Sequence, residues 1–159
     1  MKFTASNPGG GNWNRHGVCC STVESGLERS LGSTSGGFGM HTGHGGTIDF
    51  PLVITVDLRT SSSGSAFPDG IALNQLKWTV HVNGFRRYEV YASNDGSTFD
   101  KLATLDMNGS GSGMGDGSIY TNNWTNDKKY RWYRVSILTN SGTTGKGGWA
   151  VYTWQWNRV

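Results

Sequence analysis

The chain has 159 residues, a formal net charge of +3, 16% charged residues and 25 glycines, which fits one turn-rich domain with one core and argues against a charged helical bundle. Aromatic residues reach 12%, enough large rings to pack a core, so wholesale disorder is not expected. No apolar run approaches the ~20 residues of a membrane-spanning helix, and the modest, dispersed basic charge lacks the concentrated patch that nucleic acid requires.

Met1 to Pro8 lack the apolar segment of a signal peptide, so export by that route is not expected. The only cysteines, Cys19 and Cys20, are adjacent and poorly placed to bridge each other, so stability must come from packing. Residues 1–46 hold few periodic apolar positions and read as a loop-rich N-terminal portion of a single domain spanning 1–159. From Leu52 the pattern changes. Leu52, Ile54, Val56 and Leu58 share one face opposite Thr55 and Asp57, which predicts a strand. Leu76, Trp78, Val80 and Val82 alternate with Lys77, Thr79 and His81, a second strand. Arg87–Ser93 forms a third, and the Asn83-Gly84 dipeptide before it favours a tight turn, so these two strands are expected to pair as a hairpin. Asn94-Asp95-Gly96-Ser97 signals another turn, followed by a strand over Phe99–Leu105. Residues 107–118 are rich in Gly, Ser, Asn and Asp and read as a loop. Tyr130–Leu138 and Trp149–Trp156 complete the strands. With no amphipathic helix, the fold class expected is all-β, an antiparallel jelly-roll β-sandwich of about eight strands.

Three segments, in order and spacing, carry a resemblance: Pro51-Leu52-Val53-Ile54-Thr55-Val56-Asp57-Leu58, then Phe85 to Phe99 with Tyr88-Glu89-Val90-Tyr91-Ala92-Ser93-Asn94-Asp95-Gly96, then Tyr130-Arg131-Trp132-Tyr133-Arg134-Val135. Together they resemble the discoidin, or coagulation-factor type C, domains of the galactose-binding-like superfamily, which include the bacterial family 32 carbohydrate-binding modules. The match covers residues 47–158. It implies a sandwich that binds rather than catalyses, with loops at one end holding a sugar, glycan or lipid headgroup. The sequence departs from the family's pattern in two places. The Asp-Gly-Asn segment that often accompanies a structural calcium has no clear counterpart among Gly32 to Gly46, and the last strand reads Tyr152-Thr153-Trp154-Gln155-Trp156 where relatives alternate acidic and aliphatic residues.

Sugars are recognised by an aromatic ring against their apolar face and planar polar groups on their hydroxyls. Trp149, after Gly147-Gly148, and Asn140 stand where the resemblance implies a stacking aromatic and an amide; Trp149 equally suits a ring that packs the rim as its strand begins. His41 and His44 offer imidazoles in a Gly-rich segment, His81 and Arg86 flank the Asn83-Gly84 turn, and Trp13 beside Arg15 suits either a protruding apolar tip or a rim ring over the core. Zinc is not expected, because Cys19, Cys20, His41 and His44 lack finger spacing. Asp106-Met107-Asn108-Gly109-Ser110-Gly111 begins like a calcium loop, but Gly117 stands where such a loop needs Glu, so no cofactor is assigned. Glu24, Glu28 and Glu89 do not form a glycosidase pair; Glu89 faces away from the inferred core, where a cross-strand ion pair explains it.

The sequence therefore points to a non-catalytic, lectin-like module. Its expected partners are glycans of galactose type on cell surfaces, bound through end loops. Avidity would come from a homo-oligomer or from a larger adhesin, virion tail fibre or secreted parent, and the location would be extracellular or on a virion surface. A structural or assembly module of the same fold is the alternative, and lipid binding through a tip such as Trp13 a third.

Overall fold

The structure is a computed structural model that describes residues 2–6, 13–15, 26–30, 40–42, 50–59, 67–80, 85–106, 118–140 and 150–159. In chain order its strands are β1 (Lys2–Ser6), β2 (Trp13–Arg15), β3 (Gly26–Ser30), β4 (Met40–Thr42), β5 (Leu52–Asp57), β6 (Gln75–Val80), β7 (Phe85–Ser93), β8 (Asp100–Asp106), β9 (Ile119–Asn123), β10 (Trp132–Asn140) and β11 (Ala150–Asn157). There is no helix among the described residues. One sheet runs β1-β5-β10-β7-β8 and the other β2-β4-β11-β6-β9, with β3 and β4 each paired to β11. Every pairing is antiparallel. This is the all-β sandwich that the alternating apolar positions imply.

The alternation also decides which side chains meet. Ile54, Val56 and Leu58 of the β5 segment, Tyr88, Val90 and Ala92 of β7, and Tyr133, Val135 and Ile137 of β10 are buried from the first sheet. Leu76 and Trp78 of β6 and Trp156 of β11 face them from the second. Two aromatic contacts bridge the layers. Trp78 meets Tyr88 edge-on with ring centroids 6.0 Å apart, and Tyr133 meets Trp156 at 5.5 Å, geometries that suit the ring quadrupoles. Trp124 closes the core at one end against Trp156.

Three expectations are corrected. β6 and β7 do not form a hairpin: β6 pairs with β11 and β9, β7 with β10 and β8, so the chain crosses from one sheet to the other between them. The cause is burial, because Trp78 and Tyr88 pack against each other from opposite layers, which two neighbours in one sheet cannot do. Asn83-Gly84 itself lies outside the described residues. The second correction is β9. No strand was expected at Ile119–Asn123, yet it pairs in full with β6, its Tyr120 packing on the core beside buried Trp124. The third concerns the first 46 residues, where periodicity predicted no strand and the described residues form four short ones. β2 and β4 are three residues each, too short to display a period of two, and β1 and β3 earn their place by main-chain pairing to β5 and β11. Strand edges elsewhere shift by a few residues: β8 begins at Asp100, β10 at Trp132 and β11 at Ala150.

Asn94–Ser97 does make the expected turn, joining β7 to β8 as a hairpin. Gly96 adopts a φ of +76°, and a Cβ there would stand 3.0 Å from the Trp132 indole, so both the turn and the ring beneath it require glycine.

Candidate functional site

The strand registers sort the residues by end. In the first sheet Lys2, Asp57, Trp132, Ser93 and Asp100 lie toward one end; Ser6, Leu52, Asn140, Phe85 and Asp106 lie toward the other. In the second sheet Gln75, Asn123 and Asn157 mark the first end, and Val80, Val151 and Met40 the second. The four sequence-selected candidates on described strands all fall toward the second end. Trp13 pairs with Thr42, His41 with Ala150, Asn140 is the last residue of β10 opposite Phe85, and Arg86 is the second of β7. His44, His81 and Trp149 lie outside the described residues; the described neighbours Val80 and Ala150, which flank the latter two, are at this end.

Arg86 is the candidate whose side chain is described. Its Nε lies 3.9 Å from Asp106 Oδ1 at the end of the neighbouring strand, with the two side chains 36% and 51% exposed. Sequence reasoning assigned Asp106 no role toward Arg86, reading it as the start of a failed calcium loop. Counting outward from the Asp95-Gly96 turn was the available signal. Ala92 pairs with Asp100, and the count places residue 106 opposite residue 86; a bulge between Val90 and Tyr91 shifts the actual partner to Arg87. Of the Asp106–Gly111 segment, Asp106 alone is described.

The opposite end holds an open cleft of about 350 Å³ lined by Ser93, Asn94, Asp95, Thr98, Asp100 and Tyr130. Its polar groups serve the chain itself. Ser93 Oγ accepts from the Asp95 and Gly96 amides and donates to Asp95 Oδ1 at 3.0 Å. The same carboxylate oxygen accepts from the amides of Ser97 and Thr98 at 2.7 Å. Those backbone donors hold the Asp95 carboxyl far below the usual carboxylate range. Asn94 accepts from the Arg131 amide and donates to the Lys129 carbonyl, both at 3.2 Å. Beneath the cleft, Tyr133 Oη accepts from the Leu73 amide at 2.9 Å and donates to the Ile71 carbonyl at 2.7 Å, while Asn126 donates to it at 3.1 Å. Burial pushes this phenol up to about 12. Asn74 fastens Val159 through its amide and carbonyl, each at 2.8 Å.

Glu89 forms the cross-strand ion pair read from its position, with Lys101, and accepts from Tyr91 Oη at 2.6 Å. Lys101 and Tyr91 together hold its carboxyl below the usual range. Arg134 covers the Phe99 ring at 3.6 Å, and Arg59, gripped by Asp57, covers Trp132 at 4.0 Å, so one flat face of each ring is already stacked. Among the described residues no three His, Cys, Asp or Glu side chains are grouped so as to hold a metal ion.

No protein-family model and no curated protein matches the sequence. Solved structures do. A family 32 carbohydrate-binding module from a family 31 glycoside hydrolase of Clostridium perfringens aligns over 76% of this chain and 74% of its own, with 15% identity and a TM-score of 0.59. The chain has the fold of the family 32 carbohydrate-binding modules. A second C. perfringens family 32 module, solved in complex with GalNAc-β-1,3-galactose, aligns over 98% of this chain and 94% of its own, at 18% identity and a TM-score of 0.59. Another module of a C. perfringens family 31 glycoside hydrolase aligns over 98% and 94%, at 18% identity and 0.53. Both of these alignments span nearly the whole chain. No helix of the described residues is long and apolar enough to cross a membrane.

Proposed function

We propose that residues 1–159 form one non-catalytic carbohydrate-binding module that takes glycans, of galactose type, at the end of the sandwich marked by Arg86, Asn140 and Ala150. The observation that carries this reading is convergence. Residues chosen for sugar chemistry, from separate places in the sequence, belong to strands whose registers bring them toward one end, on the fold of modules one of which was solved with a galactose-containing disaccharide. Trp149 is the proposed stacking ring, with Asn140, Arg86, His41, His44, His81 and Trp13 as the surrounding polar and aromatic contacts. The cleft at the opposite end is less suited to that role, because its Ser93, Asn94 and Asp95 side chains already bond the chain's own backbone.

A single site of this kind binds weakly, so the module would act within an oligomer or a larger extracellular parent that supplies avidity. Screening the folded wild type on a glycan array, with calcium and then with chelator, tests the proposal. Binding to galactose-terminated glycans in both conditions is expected. A folded protein that binds no glycan there or at millimolar concentration in solution would contradict it.

A further inference from the structure

β7 carries its inward-facing series Ala92, Val90 and Tyr88 toward the proposed sugar end, and all three are buried without exposure. Arg86 is the next residue of that series, the first beyond the sealed core, and it stands half open to solvent. A lone guanidinium at this position would favour anions, since its planar fork matches a carboxylate. It is not alone. β8 ends beside it at Asp106, which pairs in register with exposed Arg87 and places its Oδ1 3.9 Å from Arg86 Nε.

We propose that Asp106 determines the charge preference of the site, offsetting Arg86 so that neutral saccharides are accepted and carboxylate-bearing ones disfavoured. The inference rests on the reading that this end takes a glycan. A neutral sugar suits the pair, because its hydroxyls can accept from the guanidinium and donate to the carboxylate. A uronate or sialate meets the same guanidinium partly neutralised and a second negative charge within a few ångströms. One unit-charge interaction at that distance in a solvated site corresponds to about fivefold in affinity at low salt. Asp106 is thus a specificity residue whose effect appears in the ratio between ligands.

The test titrates the full chain with galactose and with galacturonate, sugars that differ by the carboxylate, at low salt and at about 0.5 M NaCl, where exposed charges are screened. In D106N the galacturonate-to-galactose affinity ratio is expected to rise about fivefold at low salt, and less at high salt. D106E, which keeps the charge, should retain the wild-type ratio, and circular dichroism confirms that each variant is folded. An unchanged ratio in D106N overturns the proposal while leaving the carbohydrate reading intact. A folded wild type that binds neither sugar overturns the galactose-type reading, and the proposal with it.

Discussion

The two ends of the sandwich use polar residues differently. At the end that holds Ser93, Asp95 and Asn74, many side chains bond backbone: Asp95 takes two turn amides, Asn94 ties the hairpin to the 129–131 segment, Asn74 fastens Val159, and Tyr133 satisfies Leu73 and Ile71, beside side-chain pairs such as Gln75 with Asn123 and Arg59 with Asp57. At the other end Arg86 and Asp106 face each other at 3.9 Å, both partly exposed. Donors and acceptors committed to backbone hold a fold together and have little left for a ligand. Exposed groups facing one another contribute little to stability and can exchange partners. Polar groups at the first end are therefore largely occupied in holding the fold, whereas the exposed Arg86–Asp106 pair belongs to the end proposed for recognition.

The sharpest way to break this contrast is Gly70→Ala. Gly70 has a φ of +76°, and a Cβ there would stand 2.6 Å from the Tyr130 carbonyl carbon, so a loss of about 2–3 kcal/mol is expected in chemical denaturation. Tyr133→Phe comes next. It removes a buried hydroxyl that serves Leu73, Ile71 and Asn126, and the groups left without a partner should cost about 1–3 kcal/mol. At the other end Asp106→Asn should move stability by less than ~0.5 kcal/mol, because its ion pair is exposed. A cost in Asp106→Asn matching that of Tyr133→Phe would erase the distinction between the ends.

The acid limb of stability gives a subtler contrast. Asp95, Asp57 and Glu89 all have carboxyls held below their ordinary values, by turn amides, by Arg59, and by Lys101 with Tyr91. A depressed folded-state value means that stability is fully present above the unfolded carboxylate range near pH 4, and is lost as pH falls below it. The melting temperature should therefore decline below about pH 4. Asp95→Asn should flatten that decline, since its carboxyl is the one shifted furthest. An unaltered acid limb in Asp95→Asn would show that the turn's hydrogen bonds add nothing in solution.

Much of the fold was legible because apolar residues alternate cleanly. The inward faces read from the 52–58, 76–82 and 133–137 patterns include Ile54, Val56, Leu58, Leu76, Trp78, Tyr133, Val135 and Ile137, all buried. What a local pattern cannot reveal is which sheet a strand joins. Asn83-Gly84 has hairpin chemistry, yet packing of Trp78 on Tyr88 places the flanking strands in opposite layers. Nor does a period of two show in the three residues of β2 or β4, whose places depend on partners far along the chain. For the site, the sequence supplied residue types and the registers supplied a common end for Trp13, His41, Arg86 and Asn140. Asp106 was read only as the start of a calcium-like loop because its relation to Arg86 exists only across the β7–β8 pairing.

The measurement that tests the account most directly is a titration of wild type, Trp149→Ala and Asp100→Asn with a galactose-terminated glycan, each confirmed as folded. The account predicts that wild type and Asp100→Asn bind alike, while Trp149→Ala weakens binding at least about tenfold, the loss of roughly 1.4 kcal/mol of stacking. Binding that survives Trp149→Ala but is lost in Asp100→Asn would place recognition at the opposite end and contradict it.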